Sequence, residues 1–205
     1  MELKLVKTLR PHRRSIYLLH ITLADITPGV WRRVAVPGTY SLHDLHFVIQ
    51  IAFGWEIQHL YEFELEGTTY HDPIPEDRPD GPDPQEAILS QLPLSQGTRF
   101  RYTYDFGDDW THGLSVEGVA PQPAGFSAPL LLGGARAAPP ENVGGPWGYA
   151  RFLTALQNPK APGGRELTEW YGRPFDPEFW NPQAVSAAFA RLSRHSTPRR
   201  PRRKA

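Results

Sequence analysis

The sequence contains no cysteine. That excludes disulfides, thiolate zinc sites, iron–sulfur clusters and cysteine nucleophiles. No run of eighteen apolar residues occurs, so no membrane span is expected. The opening residues, MELKLVKTLR, lack an apolar leader core, which points to a cytoplasmic protein. Several catalytic signatures are also missing. No glycine run matches a phosphate-binding loop or a dinucleotide fingerprint. There is no GxSxG nucleophile elbow, and no HxxxH pair of the zincin type. Asp105-Phe106-Gly107 spells DFG without the glycine-rich loop, paired lysine and HRD context that give those letters a role in kinases.

What is present is a chain of 205 residues, a length suited to one domain with a sizeable core. Proline (22) and glycine (18) occupy a fifth of it and depress the apolar share to 40%. The formal net charge is zero, but it is divided. Residues 1–14 hold five basic residues and one acid, and 191–205 hold seven basic residues and none. Between them lie ten basic and 21 acidic residues, a formal −11. An acidic body argues against a broad phosphate-binding face. The tail, with Arg199, Arg200, Arg202, Arg203 and Lys204, can bind nucleic acid through salt-sensitive contacts, or serve as a solvated, disordered end.

Patterning gives an α+β order. Ser15–Leu23 alternates as a strand, Asp25–Gly29 turns, and Val30–Val36 returns. Ser41 and Asp44 form a capping box ahead of a helix that Gly54 stops. Ile57–Leu65 alternates again. Residues 71–86 form a proline-rich acidic loop. Thr98–Phe106 and Trp110–Val119 make a second strand pair around Gly107-Asp108-Asp109. Residues 121–148 read as a long ordered loop. Tyr149–Leu156, starting back near Pro146, is a helix, followed by a short one at Glu166–Tyr171 and a last one opened by Asn181-Pro182. The expectation is one domain, residues 15–192, with a mixed or antiparallel sheet packed against helices. Basic ends, 1–14 and 193–205, flank it.

The strongest polar group is Asp105, Asp108, Asp109 and His112. Alternation puts Arg101, Thr103 and Asp105 on one strand face, with Tyr102, Tyr104 and Phe106 on the other. Three carboxylates and an imidazole can gather a divalent ion and activate a water. The same residues also suit turn duty, with Asp105 accepting from turn amides and Gly107 at a positive φ. Glu141, fixed between prolines and glycines, can act as base or ligand. His59, beside Trp55, can close the same cleft. The metal reading requires His59, Asp108, His112 and Glu141 to converge. His43 and His46 share a helix face and read as packing histidines. Arg32 and Arg33 beside Trp31 are the only compact basic feature of the body.

Several long segments carry a resemblance. They are residues 26–55 (ITPGVWRRVAVPGTYSLHDLHFVIQIAFGW), 59–65 (HLYEFEL), 102–116 (YTYDFGDDWTHGLSV), 131–156 (LLGGARAAPPENVGGPWGYARFLTAL) and 169–180 (EWYGRPFDPEFW). The chain resembles the plasmid pRiA4b ORF-3-like family, also labelled as mobile-element passenger proteins. The resemblance implies a compact α+β domain and no established activity. In the glycine-rich loop the family usually reads RACPPEDxGG, and this chain has Ala138 at the cysteine and Asn142 at the aspartate. Thr111 replaces a usual acid, while His112 is kept. The reading favoured is a non-catalytic binding or accessory module, with a protein or nucleic acid as partner. The alternatives are a metal-assisted hydrolase and a purely structural domain. No cofactor is expected apart from a divalent metal at the polar group.

Overall fold

The computed structural model of the chain describes residues 14–71, 81–160 and 162–192. Among these residues seven strands form one antiparallel sheet. They are β1 (Ser15–Leu23), β2 (Trp31–Pro37), β3 (Tyr61–Leu65), β4 (Thr68–His71), β5 (Arg99–Tyr104), β6 (Trp110–Pro121) and β7 (Leu130–Ala135). The order across the sheet is β4-β3-β5-β6-β1-β2-β7. Four helices accompany it: α1 (Leu42–Phe53), α2 (Gly145–Gln157), α3 (Gly164–Tyr171) and α4 (Pro182–Leu192). The class is α+β in a single domain, as the patterning predicts. Among the described residues no helix is long and apolar enough to cross a membrane.

The alternation of β1 becomes a two-faced strand. Tyr17, Leu19, Ile21 and Leu23 are buried, while Ile16, Leu18, His20 and Thr22 on the other face are only half-buried. The buried face joins one core with Leu42, Leu45, Val48, Ile49 and Phe53 of α1. Helix α1 starts where the capping box places it. Ser41 Oγ accepts the Asp44 amide, and the Asp44 carboxylate accepts the Ser41 amide at 2.8 Å. Gly54, at φ 79°, ends it in the left-handed conformation.

Two strands lie where the pattern shows none. Glu66 and Gly67, both at positive φ, make a two-residue turn that folds β4 back onto β3. Strand β7 lies inside the expected long loop, paired with β2 through a register shift between Arg33 and Val34. Its LLLGGA sequence has no alternation, so pairing on β2 decides its state rather than propensity. Two expected strands are shorter than drawn. Ile57 and Asp105 sit at φ 59° and 57°, which stops β3 and β5 from extending over them. Helix α2 begins at Gly145, and its first turn is tightly packed. A Cβ on Gly148 would collide with the Val143 carbonyl oxygen.

Candidate functional site

Three segments far apart in sequence meet at one end of the β3–β5 pair. His59 precedes β3, Asp105 follows β5, and Glu141 comes from the β7–α2 connection. One ligand atom from each lies within 4.8 Å of the other two. His59 Nε2 is 3.4 Å from Asp105 Oδ2 and 3.9 Å from Glu141 Oε2.

Each carboxylate divides its work between its two oxygens. Asp105 Oδ1 accepts the amides of Gly107 (3.0 Å) and Asp108 (3.3 Å), leaving Oδ2 toward His59. Glu141 Oε1 accepts the Glu56 amide (2.8 Å) and the Tyr104 hydroxyl (3.0 Å). Tyr104 is held in turn by the Gln58 amide, and burial pushes its phenol well above the ordinary range. Glu141 Oε2 and His59 Nε2 are shielded from solvent and have no hydrogen-bond partner. The anchored oxygens fix the orientation, and the free atoms face one another. Outer hydrogen bonds of this kind orient ligands in metal centres.

The structure regroups the residues expected at a metal site. His59 and Glu141 do meet, and Asp105 is their third member. Asp108 instead points at the start of α2, where its Oδ2 accepts the Gly144 amide at 3.1 Å. His112 is fully buried among Phe53, Trp55 and Tyr102, with Nδ1 donating to the Trp110 carbonyl at 2.9 Å. Burial pushes its pKa down to about 3. Asp109 keeps to its turn at φ 53°, with its amide on the Asp105 carbonyl. The left-handed residues here are Asp105 and Asp109, and Gly107 does not take the positive φ expected of it. The tail residues Arg199, Arg200, Arg202, Arg203 and Lys204 lie outside the described residues.

The packing histidines behave as such. His46 Nδ1 bonds the Tyr102 hydroxyl at 2.7 Å, its ring stacks on Tyr61, and burial lowers its pKa to about 3. His43 bonds the Tyr61 hydroxyl at 2.7 Å. The compact basic feature at Arg32 and Arg33 is split between core and surface. Arg32 is 2% exposed, and Arg33 alone of the pair reaches solvent, on Glu117. Burial of Arg32 follows strand alternation: Trp31 and Arg33 face outward, and Arg32 shares the inward face with Val30, Val34 and Val36, where its charge hid it from a hydrophobic pattern.

The model of the plasmid pRiA4b ORF-3-like protein family matches residues 15–184. The chain belongs to that family. Another similar protein is the uncharacterized protein y4hQ of Sinorhizobium fredii, 41% identical over 160 residues, covering 77% of this chain and 81% of that one. A crystal structure of a protein of unknown function, MM3350 from Methanosarcina mazei Go1, has TM-score 0.73 at 34% identity. It covers 84% of this chain and 98% of that one. The pRiA4b ORF-3-like loop carries Glu141 here, and its two departures stay off the triad. Ala138 packs against the core, and Asn142 adopts φ 58°, which asparagine tolerates well.

Proposed function

We propose that the protein is a binding module for a divalent cation held by His59, Asp105 and Glu141. One observation carries the reading: two shielded atoms without a hydrogen bond, His59 Nε2 and Glu141 Oε2, stand within ion-pair distance of each other, with Asp105 Oδ2 beside them, while the remaining carboxylate oxygens are anchored. Buried polar atoms are nearly always paired, so such a pair of orphans calls for a common partner. One imidazole and two carboxylates suit manganese or zinc better than magnesium, which prefers an all-oxygen shell with several waters. Three protein donors also leave positions for water. That feature supports metal-assisted hydrolysis as the second reading.

The test uses full-length protein purified without a histidine tag and stripped of metal. Denaturant melts are compared with chelator, manganese, zinc and magnesium. Manganese or zinc at a hundredfold excess over its dissociation constant stabilises the wild type by about 2.7 kcal/mol, as binding to the native state requires. Glu141→Gln keeps the acceptor for Glu56 and Tyr104 and loses most of the gain, as does His59→Asn. A wild type indifferent to every ion, or equal gains in both variants, overturns the reading.

A further inference from the structure

Arg32 is a second buried charge, remote in its bonding from the triad. Four of its five N–H groups donate to main-chain carbonyls. Nε donates to Ala52 (2.7 Å), one terminal nitrogen to Trp31 (2.7 Å) and Ala135 (2.8 Å), and the other to Arg136 (2.9 Å). The guanidinium carbon lies 5.0 Å from the centre of the Phe53 ring and 4.6 Å from that of Trp180. Every partner of Arg32 among the described residues is thus a neutral carbonyl or an aromatic ring. Desolvation lowers its pKa only to about 10, so it is a cation at neutral pH. A buried charge without an opposite charge is an expensive arrangement.

Beside Arg32 lies a cavity of about 330 Å³ between α1, α4 and the strand-to-helix connection after β7. Ala52, Phe53, Ala138, Trp180 and Ala184 line it, and no acid among the described residues does. Gly134 makes room for the arrangement. A Cβ there would sit 2.8 Å from the Trp180 ring and 2.9 Å from Arg32 Cδ. At the rim stands Asn181, whose Oδ1 caps α4 by accepting the Ala184 amide at 2.9 Å, which leaves its NH2 group as a further donor. The cavity has the size and apolar lining of a small-molecule site, with a few polar groups to fix orientation.

We infer that this cavity binds a small organic carboxylate with an apolar body. The carboxylate meets the remaining N–H of Arg32, and the body fills the alanine-lined space against Trp180. The match is one of charge as well as shape, since the anion supplies the opposite charge that Arg32 lacks. The site is independent of the cation reading.

Phenylacetate and its neutral isostere phenylacetamide are titrated into metal-stripped protein. Binding is followed by calorimetry and by the indole N–H resonance of Trp180, assigned with Trp180→Phe. Phenylacetate is expected to saturate and to shift that resonance. The amide is expected to bind at least about tenfold more weakly, because its carbonyl still accepts from Arg32 but the opposite charge is lost. Ala184→Trp, on an exposed helix position, fills the cavity and abolishes both signals. Equal binding of the amide, no saturable binding, or binding that survives Ala184→Trp overturns the proposal. The same titration in Glu141→Gln gives the same affinity if the two sites are separate. Loss of carboxylate binding there would place the anion at the triad instead.

Discussion

Asp105 ends a strand with one oxygen and faces His59 with the other. Removing the side chain therefore has a structural effect before any functional one. Asp105→Ala strands the amides of Gly107 and Asp108 and is expected to lower stability by about 1.5–3 kcal/mol in denaturant melts without metal. Asp105→Asn retains an acceptor and should lose clearly less. Equal losses would show that the charge, not the acceptor, holds the turn. Much of this residue was legible. Turn chemistry named Asp105 as an amide acceptor, and the loop composition named Glu141. The grouping of Asp108 and His112 with His59 was not legible correctly. Strand alternation is a reliable guide only while φ stays negative, and the left-handed turn at Asp105 resets it. Phe106, placed by alternation beside Tyr102 and Tyr104, is 41% exposed for the same reason.

Elements with their own local signals stood out in sequence, and those held by partners did not. The Ser41–Asp44 capping box announces α1, and Asn181 announces α4, because caps are local hydrogen bonds. Strands β4 and β7 carry weak local signals. β4 is four residues long and depends on the Glu66-Gly67 turn, while β7 contains two glycines and depends on β2. Capping is also the easiest element property to test. Ser41→Ala removes the acceptor for the Asp44 amide and is expected to destabilise by about 1 kcal/mol in thermal or urea unfolding. Ser41→Asp should restore most of that loss. A neutral Ser41→Ala would mean that the core contacts of Leu42, Leu45 and Ile49 fix the helix start unaided.

For the whole molecule, two buried histidines shape the response to acid. His46 and His112 are held neutral in the native state, with pKa values near 3, against about 6.5 when unfolded. Between those values the unfolded chain binds more protons, so stability is fully present above pH 6.5 and falls as the pH drops. Each histidine contributes a slope approaching about 1.4 kcal/mol per pH unit. Urea melts from pH 7.5 to 5 should show this decline, and His46→Gln or His112→Gln should roughly halve it. A flat profile in the wild type would contradict neutral burial. The sheet has a further consequence, one of timing. Its centre pairs the first strand with the sixth, so that 89 residues separate Leu23 from His112 and 106 separate Ser15 from Pro121. On a ribosome adding about 5–20 residues per second, β1 emerges roughly 5–20 s before β6 can pair with it. The nascent hairpin thus spends seconds with an open edge, so the early chain, rather than the finished fold, is the stage most exposed to mispairing.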